Sequence, residues 1–288
     1  MNNASKITGA TKIYGIIGYP VSHSLSPLMQ NAALCAAEID GVYLPFTVKP
    51  EHLSDAVSGL RALQVSGFNV TIPHKTSIIP FLDELAPTAV QAGAVNTVVN
   101  NNGRLAGHNT DGDGLVKSLK EDLQFDPKDS KVLLIGAGGA ARGALAALCR
   151  AGVRSVTVCN RTLGAASSLV SDFKVNFPAI ELQAVEKASF SSSSLGDLEL
   201  IINATSLGMA GEKIEGLPLA LLSDHARVYD MVYNPAITPL LFDAKELGLM
   251  AVNGIGMLVS QGELAFSLWH SIPPKNAVMR AALESSLV

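Results

Sequence analysis

The stretch Lys131-Val132-Leu133-Leu134-Ile135-Gly136-Ala137-Gly138-Gly139-Ala140-Ala141 decides the fold. Its apolar run is continuous, as in a strand buried on both faces of a parallel sheet. The run passes directly into Gly-x-Gly-Gly, and ARGALAALCRAG (141–152) continues as a helix pattern. Glycines at this junction let the chain turn tightly and let a pyrophosphate reach the helix amino terminus. There, unpaired N–H groups and the helix dipole favour an anion. A glycine pattern alone is weak evidence. The strand before it and the helix after it supply the context that a dinucleotide site requires.

The following strand, Ser155-Val156-Thr157-Val158-Cys159-Asn160, leads into Arg161-Thr162. An enzyme that uses NAD usually carries an acidic residue near this point, bonded to the ribose 2′-hydroxyl. Here Asn160 is neutral and Arg161 is cationic. A guanidinium pairs with a 2′-phosphate that a carboxylate would repel, so the pair favours NADP. Further runs follow, LELIIN (198–203), RVYDMV (227–232) and LMAVN (249–253), between helical stretches. Such alternation predicts a parallel sheet with right-handed crossovers. The tail from Ile255 reads as helical, interrupted at Pro273-Pro274.

Toward the amino terminus, GLVKSLKEDL (114–123) is a helix pattern ahead of the polar break DPKDS (126–130). Before it lies another alternating series, with runs KIYGIIG (12–18), GVYLPFTV (41–48), GFNVTI (67–72) and AVNTVVN (94–100). Asn102-Gly103, between AVNTVVN and RLAGHN, predicts a hairpin that adds an antiparallel edge. Ser191–Ser194 is a low-complexity patch that reads as a solvated loop.

Composition narrows the function. The chain has 288 residues, room for one large domain or two of ordinary size, and 21 Lys+Arg against 25 Asp+Glu. No basic excess is available for a phosphate backbone, which argues against nucleic acid as a partner. Apolar residues make up 48% and charged residues 16%, which excludes disorder for the bulk of the chain. The longest apolar stretch, Val132–Val153, contains Arg142, Arg150 and several glycines and does not read as a membrane span. The amino terminus lacks the apolar core of a signal peptide. A cytoplasmic protein with no membrane partner is therefore expected. Cys35, Cys149 and Cys159 show no Cys-x-x-Cys spacing, so buried free thiols are expected rather than disulfides or a metal site.

Several polar clusters in the first half are not explained by packing. Ser24 and Ser26, in GYPVSHSLSP (18–27), put two hydroxyls where a helix begins, which suits a carboxylate. Ser26 as a plain helix cap ahead of Pro27 is the alternative. Lys75 follows the strand end Asn69-Val70-Thr71, Asn96-Thr97 interrupts an apolar strand, and Asp111 stands just before a helix. In an open α/β sheet, ligands bind at the carboxyl ends of strands.

Together these segments resemble the shikimate dehydrogenase family. The resemblance rests on GYPVSHSLSP, GFNVTIPHK (67–75), AGAVNT (92–97), GHNTDGDG (107–114), LIGAGGAARG (134–143), NRT (160–162), NATSLGM (203–209), YDMVYNPAITPLL (229–241) and NGIGMLVSQGELAF (253–266). They occur in the family's order and span nearly the whole chain. The resemblance implies two α/β domains: an amino-terminal substrate domain (1–112) and a Rossmann-type NADP domain (113–254). The carboxy-terminal helices (255–288) would pack back on the first. The implied reaction is the reversible, NADPH-dependent reduction of 3-dehydroshikimate to shikimate in aromatic amino-acid biosynthesis. Lys75 and Asp111 match the family's catalytic pair, and which of them carries the proton stays open. Ser24, Ser26, Thr71, Asn96, Asp111, Tyr233 and Gln261 match substrate positions. Gly136, Ala137, Gly138, Gly139, Ala140, Asn160, Arg161, Thr162, Thr205, Met231 and Gly254 match cofactor positions. No metal is called for, because the hydride comes from the cofactor. The expected partner is a small-molecule substrate, bound by a monomer or homodimer.

Two positions depart from the family pattern. Gln30 stands where many members have His, with little effect expected. Gly164 stands where many NADP-preferring members have a second arginine, so the phosphate clamp has one. An NAD-preferring quinate/shikimate dehydrogenase is the nearest rival. A non-catalytic nucleotide-binding regulator on the same fold is a rival of another class, and Lys75 with Asp111 argues against it. Methylene-tetrahydrofolate dehydrogenase has a similar two-domain plan, but the serine pair and the NTDG segment oppose it. The glycine-bearing segments Asp111–Gly114 and Asn253–Gly256 are the expected hinges.

Overall fold

The computed structural model describes residues 7–186 and 196–286, so the Ser191–Ser194 patch lies outside the described residues. The chain forms two units. One runs to Thr110 and resumes at Leu258; the other is Asp111–Met257.

In the first unit, β1 (Lys12–Gly18), α1 (Ser26–Ala36), β2 (Gly41–Thr47), α2 (Leu53–Ala62) and β3 (Gly67–Val70) make strand–helix–strand units. A two-residue β4 (Glu84–Leu85) and α3 (Pro87–Ala92) lead to β5 (Thr97–Asn101) and β6 (Arg104–His108). The sheet order is β2-β1-β3-β5-β6-β4, parallel at β2, β1 and β3 and antiparallel on either side of β5. The hairpin turns at Asn102 and Gly103, both at positive φ, the conformation its Asn-Gly pair favours. It is not the sheet edge, because β4 pairs outside β6. Two residues carry too little periodicity to read as a strand. Ile17, Leu53, Val57, Leu60, Phe68 and Leu105 share one apolar core between helices and sheet.

The second unit runs α4 (Asp111–Glu121), β7 (Lys131–Ile135), α5 (Gly139–Arg150), β8 (Ser155–Asn160), α6 (Leu163–Lys174), β9 (Glu181–Glu186), β10 (Leu200–Asn203), β11 (Arg227–Asp230), α7 (Pro239–Glu246) and β12 (Met250–Asn253). Its sheet is parallel throughout, in the order β12-β11-β10-β7-β8-β9. That is the strand order of dinucleotide-binding folds, with the switch point between β7 and β10. β9 falls outside the runs legible in the sequence, because this edge strand fully buries only Leu182. Asp111 is the first residue of α4 rather than a residue before it.

Within the segments expected to be hinges, Gly112, Gly254 and Gly256 are closely packed. A Cβ on Gly112 would strike the Gly143 carbonyl of α5. One on Gly254 would strike the Met231 backbone, and one on Gly256 would strike Asp122 and Ser118. Close backbone approach explains the missing side chains.

α8 (Ile255–His270) belongs to the first unit from Leu258 onward, and α9 (Val278–Glu284) packs on α1. Trp269 of α8 donates its indole N–H to the Val98 carbonyl at 3.0 Å, in the space that Gly67 leaves open. Gln30 is buried and donates to the Gly262 carbonyl at 3.0 Å, so this departure from the family pattern ties α1 to α8. Cys149 and Cys159 are buried, but Cys35 is exposed, contrary to expectation. No helix among the described residues is long and apolar enough to cross a membrane.

His270 lies against Tyr14 and Phe266, with ring centroids at 4.9 and 4.3 Å. Burial, helped by the Lys12 charge, pushes its pKa down from 6.5 to about 4. Between those values the unfolded chain takes up a proton that the folded chain refuses. Stability from this ring is therefore lost as pH falls through that window. Thermal melts should show a shallower acid loss for His270→Gln than for the wild type. Parallel curves from pH 6.5 to 4 would mean that the ring titrates normally.

Candidate functional site

Two loops interlock at the carboxyl ends of β1 and β3. Tyr19 donates its N–H to the Ile72 carbonyl at 2.9 Å, and a Cβ on Gly18 would strike Thr71. The first loop carries Ser24 and Ser26; the second carries Thr71 and Lys75. Ser26 is not a cap. It is the buried first residue of α1, and Ser24 Oγ accepts its N–H at 3.2 Å. The half-buried Lys75 is held by its backbone, whose carbonyl accepts the Val95 N–H at 2.7 Å. Beside it, His74 Nε2 faces the Val48 carbonyl at 2.7 Å and must carry the proton there.

Behind these loops runs a buried polar chain. The Tyr43 hydroxyl donates to Asn69 Oδ1 at 2.7 Å, and Ser26 lies within hydrogen-bond reach of the same phenol. Asn69 Nδ2 donates to the Asn96 carbonyl and to Thr97 Oγ1, both at 3.0 Å. Asn96 Oδ1 accepts the Thr110 N–H at 2.8 Å, while its Nδ2 donates to Thr110 Oγ1 at 2.9 Å and toward Gln261 Oε1 at 3.4 Å. Gln261 donates to the Leu258 carbonyl at 2.8 Å. A carbonyl only accepts and a peptide N–H only donates, so backbone groups set the orientation of every side-chain amide in the chain. Burial pushes the Tyr43 pKa well above its ordinary value, which keeps the phenol a donor. The motif pattern names Ser26, Asn96 and Gln261 as binding positions but not Tyr43, Asn69 or Thr110. A polar residue inside an apolar strand is the one signal that marks Asn69.

In the second unit, the glycine loop stands at the switch point. Gly136 has φ +115°, and a Cβ there would crowd Ala204 and Thr205 beyond β10. Gly138 is exposed, with open space where a Cβ would stand. The Arg142 N–H bonds the Gly138 carbonyl at 2.9 Å, which leaves the N–H groups of Gly139, Ala140 and Ala141 without partners inside α5. Unpaired amides at a helix amino terminus, beside the open space at Gly138, suit a pyrophosphate. Asn160 Nδ2 donates to the Thr162 carbonyl at 3.1 Å and shapes the turn that bears the exposed Arg161. Asn203 Oδ1 accepts from the Thr205 N–H at 3.1 Å and from its hydroxyl at 2.7 Å. Gly254 lies against the Met231 backbone.

Of the candidate substrate and catalytic residues, Ser24, Ser26, Thr71, Lys75, Asn96 and Gln261 belong to the first unit. Asp111 and Tyr233 belong to the second, with the cofactor candidates.

Three family models match the chain in order. They describe a shikimate dehydrogenase substrate binding domain at 16–98, a shikimate / quinate 5-dehydrogenase at 117–226 and a shikimate 5′-dehydrogenase C-terminal domain at 254–284. The shikimate dehydrogenase (NADP(+)) of Geobacter metallireducens is 48% identical over 282 residues, covering 98% of this chain and 99% of that one. The chain belongs to the shikimate dehydrogenase family. A crystal structure of a shikimate dehydrogenase in complex with NADP+ matches with a TM-score of 0.89 and 35% identity, over 98% of each chain. The Thermus thermophilus shikimate 5-dehydrogenase, in complex with NADP(H) and shikimate, matches with a TM-score of 0.85 and 35% identity, over 96% of this chain and 100% of that one. Gly136, Asn160 and Thr205 thus lie at the carboxyl ends of β7, β8 and β10 in a shikimate dehydrogenase scaffold.

Tyr43→Phe removes the proton that satisfies Asn69 Oδ1 in a buried position. A buried acceptor left without its donor costs about 1–3 kcal/mol. Urea denaturation should report a loss of that size. An unchanged midpoint and slope would mean that Asn69 draws on another donor.

Proposed function

We propose that the chain catalyses the reversible, NADPH-dependent reduction of 3-dehydroshikimate to shikimate in aromatic amino-acid biosynthesis, with Lys75 and Asp111 as its catalytic pair. One coincidence carries the proposal: a glycine cradle at the switch point of a dinucleotide-ordered sheet, inside a chain matched along nearly its whole length by one family. NADPH, when bound, supplies the hydride. The chain's own residues do the rest.

Reduction of a ketone makes an alkoxide, which needs a proton or a positive charge at that oxygen. The Lys75 ammonium supplies either. Asp111 orients Lys75 and bonds a substrate hydroxyl. Ser24 and Ser26 hold the substrate carboxylate, while Thr71, Asn96, Tyr233 and Gln261 hold the ring. Gly136, Ala137, Gly138, Gly139 and Ala140 cradle the pyrophosphate. Asn160, Arg161 and Thr162 receive the 2′-phosphate, and Thr205, Met231 and Gly254 complete the cofactor site. A cytoplasmic location and a monomer or homodimer belong to the same proposal, as does a small-molecule substrate.

A second reading, with NAD preferred and quinate also used, is favoured by one observation. Gly164 offers open space where a second arginine would stand, so Arg161 alone meets the phosphate. Steady-state kinetics with NADP and NAD, each against shikimate and quinate, decide between them. The highest kcat/KM for NADP with shikimate is expected. A higher value for NAD with quinate selects the second reading, and no turnover with any pair selects a non-catalytic nucleotide binder.

Lys75→Ala should lower kcat by about 10²–10⁴-fold and leave NADP binding intact. Near wild-type turnover would sink its catalytic assignment. Arg161→Ala should weaken NADP by about 1.5–3 kcal/mol, the worth of a charge-assisted hydrogen bond, and spare NAD. Equal losses for both cofactors would make Arg161 a structural residue.

A further inference from the structure

Asp230, the last residue of β11, is fully buried. Three donors converge on its carboxylate: Asn203 Nδ2 at 2.8 Å, the Val232 N–H at 3.0 Å and the Thr238 hydroxyl at 2.6 Å. Thr238 also accepts the Leu241 N–H at 3.3 Å and so caps α7. That cap needs one acceptor atom only, yet the site holds a whole carboxylate in the interior. Its second oxygen faces Asn203 and Val232.

Asn203 ends β10 and is likewise fully buried. Its Nδ2 divides between Asp230 and the Leu207 carbonyl at 3.0 Å. With both protons directed there, Oδ1 must face the other way, where it accepts the N–H and the hydroxyl of Thr205. Thr205 Oγ1 in turn accepts the Leu207 N–H at 3.1 Å. The Thr205 methyl lies next to the place where a Cβ of Gly136 would stand. The wall opposite the glycine loop is therefore shaped by a sequence of bonds that begins at Asp230. Met231 follows directly, and its N–H is held by the Asn203 carbonyl at 2.9 Å.

We infer that Asp230 is a positioning residue for the cofactor crevice, acting through Asn203 on Thr205 and through the backbone on Met231. The inference rests on the NADP reading above. Asp230→Ala removes the acceptor that orients the Asn203 amide, whereas Asp230→Asn keeps it, because the new Oδ1 still receives Asn203 and Val232 while its Nδ2 turns to the Thr238 hydroxyl, which can accept. Thr238 lies on the α7 side of the same carboxylate, so it separates support of the fold from support of the crevice.

The test is calorimetric titration of NADP into the substrate-free protein, alongside thermal melts and shikimate kinetics at saturating NADP. Asp230→Ala should raise the NADP dissociation constant about ten-fold or more, the worth of one hydrogen bond to a charged group, with the shikimate KM unchanged, and Asp230→Asn should stay close to the wild type. Thr238→Val should lower the melting temperature and leave NADP affinity intact. Unchanged NADP affinity in Asp230→Ala overturns the inference. So does a loss of affinity that tracks melting temperature equally in Asp230→Ala and Thr238→Val. If Asp230→Ala does not fold, Asn203→Ser releases Thr205 and carries the same expectation and the same refutation. A wild-type protein that binds no NADP overturns the functional reading itself, a result distinct from unequal binding among variants.

Discussion

Gly136 must lack a side chain for β7 to part from its neighbours where it does. Its N–H extends the ladder to β8 by one bond, to the Cys159 carbonyl at 2.7 Å. On the other side, the Ala204 N–H bonds the Ile135 carbonyl at 2.8 Å, and the two chains then separate. The positive φ of Gly136 turns the backbone outward at that point, where any Cβ would press on Ala204 and Thr205. The open amides at the start of α5, the turn at Arg161 and the Thr205 wall all take their places from that departure. Strand order puts the crevice there, and the backbone geometry of one glycine keeps it open.

The first unit meets a different constraint. Its buried polar groups sit on β2, β3 and β5, beside the sheet ends and on α8, and a buried polar atom without a partner is costly. Tyr43, Asn69, Asn96, Thr97, Thr110 and Gln261 answer this by satisfying one another. The Asn96, Leu258 and Thr110 backbone groups decide which end of each amide points where. Such a network is rigid before any ligand arrives. Groups held in place beforehand need no ordering during the reaction, which is where much of the advantage of a positioned site lies.

This division explains what was legible in the sequence. Strand runs, the glycine junction and the Asn102-Gly103 hairpin are local patterns, and local sterics produce them. β4 and β9 are edge strands with little to bury, so they leave almost no periodic trace. Ser24, Ser26, Asn96, Arg161 and Thr205 are visible through their motifs. Tyr43 looks like any strand aromatic, and Asp230 like any strand-end acid. Their importance comes from partners distant in the chain, Asn69 in one case and Asn203 with Thr238 in the other. The contact of Gln30 is hidden for the same reason: its partner is the Gly262 carbonyl, far away in sequence. Gly112, Gly254 and Gly256 show the same limit: the neighbouring atoms that crowd a Cβ there cannot be read from the segments themselves.

Both units follow one rule in choosing between an amide and a carboxylate. Where a buried position must give one hydrogen bond and receive another, it carries Asn or Gln, as at 69, 96, 203 and 261. An amide does both without a charge, so it avoids the penalty of burying an ion. Where donors converge on both oxygens, a carboxylate receives them all without any of them having to reverse. Asp230 is such a place, although burial there raises its carboxyl pKa. Asp83 shows the same geometry at the surface. It receives the Leu105 N–H and the Arg61 guanidinium, both at 2.6 Å, and these donors hold its pKa below the ordinary value. At Asp83 a backbone N–H and a guanidinium outweigh slight desolvation, whereas at Asp230 three neutral donors do not offset burial. A chain that keeps the carboxylate at 230 in spite of that cost is constrained by the number of donors aimed at it, and those donors come from the ends of β10 and β11 and from the α7 cap.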